Sequence, residues 1–300
     1  MSSVMGYFML INYVIKNDKY KNINQILEQE FHISARLHRK LLLSKQILCN
    51  GVFVDTRNLV KVGDIISVNL DFEETNDNIV PKYMELNIIY EDDCFLILDK
   101  PAGIAVHPSI LHFDDSLSNG VKYYFDKINL HKKIRPVNRL DFNTSGIIIF
   151  AKNEYVQECL IKQMASHEFY KEYIAIVEGI FKNKSGIIDL PIARKENSII
   201  ERCVSDIGQN AITEYEVLQE FNDMSLVKCI LKTGRTHQIR VHMASIGHPL
   251  LGDTLYGSAS DLIDRQALHS YKISFIHPVT KELISLKSDV PIDMKKVLSG

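Results

Sequence analysis

The sequence has 300 residues, of which 46% are hydrophobic and 24% charged, and its formal net charge is −2. Such a chain can bury a substantial core, and we expect one large domain and one small one. The slight acidic balance excludes a uniformly basic binder of nucleic acid, so any such contact must depend on local positive charge. Five scattered cysteines argue against a disulfide framework or a zinc knuckle and favour a reduced, cytoplasmic setting. No apolar run approaches the roughly 20 residues that cross a bilayer, so no membrane contact is predicted.

The first 72 residues predict a small α/β unit. The apolar segment 4–15 indicates a strand. Hydrophobic spacing predicts one helix over 22–31 and a second over 34–48, for which Ser34 is the expected N-cap. Turn residues then flank two further predicted strands, near 52–55 and 65–70.

Positive charge collects in this unit. Residues 21–70 hold seven Lys or Arg against four acids, and Arg36 and Lys40 form a basic ridge on the second helix with Arg39 between them. This surplus is either a solvated face or a surface for RNA. The order of elements is similar to the small αL-type RNA-binding domain of a ribosomal protein, which implies the second interpretation. That resemblance covers about a sixth of the chain.

An acidic stretch follows the basic unit. Residues 71–99 hold nine acids and one lysine, and the polar part ends at Pro81, as domain boundaries often do. We therefore predict a small domain over 1–75, a linker over 76–85 and a large domain over 86–300.

The large domain opens with Lys100-Pro101-Ala102-Gly103 and, shortly after, His107-Pro108. Proline and glycine here predict a fixed turn, from which the ammonium of Lys100 can reach a phosphate group. An ordinary turn lysine is the alternative.

Asp141 lies in a loop just before a predicted buried strand, Gly146–Ala151. The following Asn143, Thr144 and Ser145 suit a tight turn that could hold a carboxylate rigidly. Taken alone, the loop is more typical of an ordinary turn aspartate.

Two later segments carry further candidates. The alternation in 171–179 predicts a strand with Lys171 and Tyr173 on one face. The strand near 227–231 runs into Thr233-Gly234-Arg235-Thr236-His237-Gln238-Ile239-Arg240. Thr236 is the predicted cap of a helix that buries Ile239 and ends at Gly247.

Together these motifs resemble RluA-type pseudouridine synthases. The segment Asn138 to Gly146 matches the family's His-Arg-Leu-Asp-x-x-Thr-Ser-Gly signature with Asn in place of His, and Lys-Pro-x-Gly, Lys-x-Tyr-x-Ala-x-Val-x-Gly and Gly-Arg-Thr-His-Gln-Ile-Arg are present. The resemblance implies that Asp141 is catalytic, that Tyr173 lies against the target base and that Arg235 pairs with Asp141. It also implies substrate contacts by Arg139, Asn138, Thr144, Lys100, Lys171 and Ile239.

The same resemblance implies an α+β fold with a mixed, largely antiparallel central sheet flanked by helices. The expected reaction turns uridine into pseudouridine in RNA, with large-subunit ribosomal RNA as substrate and transfer RNA as the alternative. We expect a monomer with no cofactor, since no nucleotide-binding loop is present. His237 and His242 are five apart and near no other ligand, so no metal is predicted.

Two other functions compete. Asn138 in place of His raises the possibility of a catalytically silent RNA-binding protein. A glycosidase acting on free sugars would need a second carboxylate near the motifs, and Glu172 lies on the opposite strand face from Tyr173.

Overall fold

The computed structural model describes residues 9–76 and 78–299. The helices in these ranges are α1 Ile23–Gln29, α2 Ala35–Leu43, α3 Leu117–Lys127, α4 Glu154–Ala165, α5 Gln238–Ser245 and α6 Ile292–Ser299. The strands are β1 Leu10–Val14, β2 Ile47–Cys49, β3 Val52–Phe53, β4 Ile65–Asn69, β5 Ile88–Glu91, β6 Phe95–Lys100, β7 Ser145–Ala151, β8 Tyr170–Glu178, β9 Ser185–Asp189, β10 Ile192–Arg194, β11 Arg202–Val204, β12 Ile212–Glu220, β13 Met224–Leu231, β14 Leu268–Ile276 and β15 Leu283–Lys287. None of these helices has the length and apolar character of a membrane span.

A nine-stranded sheet forms the large part of the molecule. Its strand order is β5-β6-β7-β14-β8-β13-β12-β9, and β15 pairs with β14. Every pair is antiparallel except β7 with β14. The predicted α+β fold with a mixed, largely antiparallel sheet is therefore confirmed.

Strand β7 fixes the position of the loop before it. Every residue of Ser145–Ala151 is buried, as predicted for this strand. Gly146 has a φ of +107° and pairs with Ser270 of β14, and a Cβ at this glycine would lie 2.2 Å from the Ser270 carbonyl oxygen. Only glycine fits this close approach. The end of the Asp141 loop is therefore held where two central strands meet.

The N-terminal unit contains a separate sheet of order β1-β4-β2-β3. The predicted first strand is confirmed for Leu10–Val14, and residues 4–8 lie outside the described residues. The second helix begins after Ser34 as predicted, but it ends at Leu43 and not at residue 48. The chain leaves the helix because Lys45 adopts a left-handed conformation (φ 56°), which lets Ile47 enter strand β2 and become fully buried.

The basic ridge of α2 is tied to the rest of the molecule. The Glu74 carboxylate accepts hydrogen bonds from Lys40 (2.6 Å) and twice from Arg135 (2.7 Å each). The Glu154 carboxylate, at the start of α4, accepts bonds from Arg36 (2.7 and 2.5 Å) and from Lys40 (3.3 Å). Two carboxylates thus join three cations where α2 contacts the large domain at α4. The ridge is therefore not a free face.

This network predicts a specific loss of stability in acid. Burial alone would raise the pKa of Glu74, but the bonds from Arg135 and Lys40 outweigh it and lower the pKa to about 2. A depressed carboxyl pKa stabilises the fold above the unfolded value and loses that contribution as the pH falls from about 4.5 to 2. For this shift the loss is at most about 3 kcal/mol.

The test is the free energy of unfolding by denaturant between pH 6 and pH 2, for the wild type and Glu74→Gln. We expect the wild type to be more stable at pH 6 and the difference to shrink towards pH 2. The matched control is Glu73→Gln, a change at the exposed neighbouring residue. Its free energy of unfolding should follow that of the wild type at every pH. A constant gap between wild type and Glu74→Gln would show that Glu74 does not titrate as described.

Candidate active site

Lys100 anchors the loop that carries Asp141 from the protein interior. This lysine is fully buried, and its ammonium donates to the carbonyl oxygens of Pro101 (2.9 Å), Ile104 (2.9 Å) and Phe142 (3.0 Å). Burial lowers the pKa of Lys100 to about 7, against the opposing effect of the Asp141 charge. Lys100 therefore holds the loop from inside and does not extend to solvent, contrary to the predicted phosphate contact.

Asn138 and Thr144 also shape this loop. The Asn138 amide donates to the Ile147 carbonyl (3.0 Å) and accepts from the Ile149 N–H (2.9 Å), which extends the hydrogen bonding of β7. Thr144 is 2% exposed, its hydroxyl accepts a bond from Gln266 (3.4 Å), and its N–H donates to the Asp141 carbonyl (3.1 Å). Neither side chain faces outward for substrate, contrary to the prediction.

The Asp141 carboxylate faces one guanidinium and one imidazole. Its Oδ2 accepts a bond from Arg240 NH1 at 3.3 Å, and its Oδ1 lies 3.9 Å from His237 Nε2. A quarter of the Asp141 side chain is exposed. Asp141 and Arg240 therefore form an ion pair. The carboxylate is thus paired on its inner side and open on its outer side.

A second carboxylate clamps the guanidinium in place. Arg240 donates from Nε to Asp253 Oδ2 (2.7 Å) and from NH2 to Asp253 Oδ1 (2.8 Å), while its NH1 points to Asp141. Asp253 is 1% exposed and also accepts bonds from the N–H groups of residues 255 and 256. The Tyr256 ring lies 5.0 Å from the guanidinium carbon. This bidentate pair fixes the direction in which the third nitrogen points.

The Tyr256 hydroxyl links His237 to the backbone of Arg202. It accepts a bond from the Arg202 N–H (2.8 Å) and shares a second hydrogen bond with His237 Nδ1, at 2.8 Å. The other ring nitrogen, Nε2, lies 3.9 Å from Asp141 Oδ1. Burial lowers the pKa of His237, and the Asp141 charge opposes this. His237 is thus held beside the carboxylate by its bond to Tyr256.

Arg235 does not pair with Asp141. Its side chain is exposed, and its Nε donates to the Asn210 carbonyl at 2.9 Å. The predicted helix cap at Thr236 is also wrong, because the chain turns at His237 in a left-handed conformation (φ 58°) and α5 begins at the next residue. That turn places Arg240, in the first turn of α5, against the carboxylate. Gly247 does follow the helix end with a φ of +86°.

Tyr173 lies within the electrostatic reach of Asp141. Its side chain is 6% exposed, and burial, assisted by the Asp141 charge, raises its pKa to about 12. A hydrogen bond joins its phenol to the Ser270 side chain. Ile239, at 3% exposure, belongs to the same apolar cluster. Ile239 therefore has little surface to offer a substrate, contrary to the prediction, and lies in the cluster that contains the tyrosine.

Two predicted contact residues keep unused donors. Arg139 is exposed, and Lys171 is buried beside Gly234, where a Cβ would lie 3.6 Å from the ammonium. Neither side chain has a hydrogen bond or an ion pair within residues 9–76 and 78–299. Desolvation lowers the pKa of Lys171. Both cations are available to anionic groups of a substrate.

Asp92, Cys94 and His277 are close enough together to suggest a metal site. Their hydrogen bonds account for the arrangement without one. His277 Nδ1 accepts the N–H groups of residues 279 and 280 (3.1 and 3.0 Å), and Nε2 donates to Asp92 (3.0 Å). Burial raises the pKa of the Cys94 thiol, which disfavours the thiolate that metals bind.

The sequence-based prediction missed Arg240, Asp253 and Tyr256. Arg240 is the last residue of the Gly-Arg-Thr-His-Gln-Ile-Arg motif, whose first arginine is Arg235. The signal for the other two residues is Gly252-Asp253 followed by Tyr256-Gly257. A carboxylate and an aromatic ring between glycines, shortly after a motif with two arginines, is a reasonable pattern for an arginine partner.

Comparisons with known proteins identify the family. The RNA pseudouridylate synthase family model matches residues 94–245. The uncharacterized RNA pseudouridine synthase YhcT of Bacillus subtilis is 42% identical over 274 residues, which cover 91% of this chain and 90% of that protein. Ribosomal large subunit pseudouridine synthase D of Xanthomonas campestris is 34% identical over 271 residues, 86% of this chain and 81% of that protein. The solved structure of human RNA pseudouridylate synthase domain containing 1 matches 68% of this chain and 83% of its own, with a TM-score of 0.57 and 25% identity. The chain therefore belongs to the RNA pseudouridine synthase family, as its motifs predicted.

Proposed function

We propose that this enzyme isomerises specific uridines of large-subunit ribosomal RNA, with Asp141 as its catalytic carboxylate. The assignment rests on the Asp141 carboxylate. It is partly exposed and lies 3.3 Å from the Arg240 guanidinium, which the buried Asp253 holds in place. The choice of RNA is supported by relatives at 32–35% identity that are named ribosomal large subunit pseudouridine synthase D. Transfer RNA is the competing substrate.

The reaction is a rearrangement within one nucleotide. The bond from the ribose C1′ to N1 of uracil breaks, the base rotates, and C1′ joins C5, while C5 loses a proton and N1 gains one. Nothing is oxidised or reduced, and a single ionised carboxylate can add to the sugar or base, or remove the proton. Arg240 holds the Asp141 carboxylate in place through a bond of 3.3 Å. No step requires a cofactor.

The remaining candidates receive roles from their position. The target uridine must leave its stack, at a cost of a few kcal/mol. We propose that Tyr173 lines the base pocket behind Asp141, that exposed Arg139 occupies the gap or holds phosphate, and that Lys171 meets an anionic group of the substrate. Action as a monomer in the cytoplasm is part of the proposal.

The first prediction concerns Asp141 itself. Asp141→Asn removes the ionised group without changing its shape, so turnover should fall by at least about a thousandfold. The assay is tritium release from RNA carrying uridine labelled at C5, using unmodified large-subunit ribosomal RNA and transfer RNA made by transcription. Asp289→Asn, an exposed carboxylate outside the site, is the control and should be fully active. A wild type that releases no tritium from either RNA would instead indicate a silent binding protein.

A further test separates Arg235 from Arg240, the two arginines of the Gly-Arg-Thr-His-Gln-Ile-Arg motif. Arg240→Lys keeps the charge but cannot hold Asp253 through two bonds while also reaching Asp141, so kcat should fall about a hundredfold. Arg235→Lys should keep kcat within about twofold, because its side chain bonds only to the Asn210 carbonyl. Thermal unfolding of both variants controls for folding. Equal losses of kcat, or a greater loss at Arg235, would contradict the pairing.

A further inference from the structure

A groove of about 700 Å³ separates the N-terminal unit from the large sheet. Arg36 and Lys40 of α2 line one side of it. The other side is formed by 107–113, which carries the exposed side chains of Ile110 and Phe113, and by 133–135. Both structural units therefore contribute to one surface.

Positive charge dominates this groove although the chain as a whole is slightly acidic. Among the described residues, the lining includes four cations, Arg36, Lys40, Lys133 and Arg135, and one carboxylate, Glu154. Counting Glu74, which is buried under Lys40 and Arg135, these residues keep a surplus of two positive charges. The chain has a formal charge of −2, so this surplus is local. A polyanion is the complementary occupant.

Two of the four cations have donors to spare. Lys133 is exposed and has no hydrogen-bond or ion-pair partner for its ammonium within residues 9–76 and 78–299. Arg36 bonds to Glu154 through Nε and NH2, yet 83% of its side chain is exposed. Lys40 and Arg135 are occupied by Glu74 and keep the two units together. The groove thus has a paired floor, with the ammonium of Lys133, free among the described residues, on one side and the exposed guanidinium of Arg36, bonded to Glu154, on the other.

The apolar wall narrows the choice of polyanion. Ile110 is fully exposed and Phe113 is 64% exposed at the groove. Cations beside exposed apolar and aromatic side chains are the combination that binds single-stranded nucleic acid, in which phosphates meet the charges and bases stack on the rings. An acidic peptide would leave the aromatic wall without a specific partner.

The groove also leads to the catalytic loop. Lys133 and Arg135 belong to the same segment that reaches Asp141 six residues later. At the other wall, desolvation and the charge of Arg139 lower the pKa of His107, so this groove residue lies within reach of the arginine next to the site. A strand of RNA entering the active site past Arg139 can therefore continue into the groove.

We infer that this interdomain groove binds the phosphate backbone of an unpaired RNA segment flanking the target uridine, with Lys133, unpaired within the described part of the chain, as its main phosphate contact and the exposed Arg36, which is also bonded to Glu154, as a second. The inference rests on the proposed function. It differs from binding on the outer face of α2, since it requires the large unit to supply half of the surface. The N-terminal unit then helps to select the substrate while it is packed against the large sheet. Glu74 and Glu154, which bind the groove's paired cations, set the shape of the groove.

The test is the affinity of full-length protein for unmodified large-subunit ribosomal RNA fragments, measured by fluorescence anisotropy at several salt concentrations. Lys133→Ala should raise Kd about fivefold and reduce the slope of log K against log salt by about 0.7, the value for one contact to a single strand. Lys133→Glu should weaken binding further. Both changes lie on the surface and leave the fold intact, which thermal unfolding verifies.

Two controls make the outcome specific. Lys127→Ala removes an exposed cation of α3 that does not line the groove and should bind as the wild type does; Arg39→Ala removes a cation of α2 outside the groove and should cost less affinity than Lys133→Ala. Unchanged Kd and slope for the Lys133 variants would overturn the inference, as would a loss at Arg39 that exceeds the loss at Lys133. Tritium release by the wild type is independent of these results: a protein that binds through Lys133 but forms no pseudouridine keeps the groove and loses the proposed function.

Discussion

The Arg240 guanidinium is shared between two carboxylates, and the rest of the site depends on this arrangement. Guanidinium is a planar, permanently charged group with donors in a fixed fork. Asp253 takes two of those donors, from Nε and NH2, which leaves NH1 directed at Asp141. Because Asp253 is itself held by two backbone N–H groups, the cation is in place before any RNA arrives. Such preorganisation avoids reorientation during the reaction.

The loop around Asp141 is fixed from the opposite side by uncharged contacts and one buried cation. Lys100 gathers three carbonyl oxygens, including that of the residue after Asp141. The Asn138 side chain bonds to β7 through both its amide nitrogen and its amide oxygen, in a position where the family signature has histidine. In this chain that position is thus a structural link between the loop and the central strand. The carboxylate is therefore held by its backbone as well as by its charge partner.

The sequence predicted the local parts of this site well, since they depend on short-range patterns. The buried strand β7, the turn after Asp141 and the strand face of Tyr173 all follow from apolar runs, turn residues and alternation. The choice between Arg235 and Arg240 does not, because it depends on a left-handed residue at His237 that sets the start and rotation of α5. The burial of Lys100 does not follow from the sequence for a similar reason, because the three carbonyl oxygens that bind its ammonium converge only in the folded chain.

The N-terminal unit shows the same limit for electrostatics. Counting charges along 21–70 gives a basic surplus, but the acidic stretch that follows supplies Glu74, and α4 supplies Glu154. Part of the basic ridge is therefore neutralised within the molecule. The end of α2 was also missed, because a left-handed lysine at position 45 is an uncommon way to stop a helix. Charge available to a partner can be counted only once the folded structure is known.

In this arrangement Asp253 acts on the reaction only by orienting Arg240 towards Asp141. The decisive measurement is a double-mutant cycle on kcat for tritium release, with Asp253→Asn, Arg240→Lys and their combination. We expect the double variant to be no slower than Arg240→Lys alone, because the second change removes an orientation that has already been lost. Multiplying effects of the two substitutions would show that Asp253 acts independently, and would contradict it.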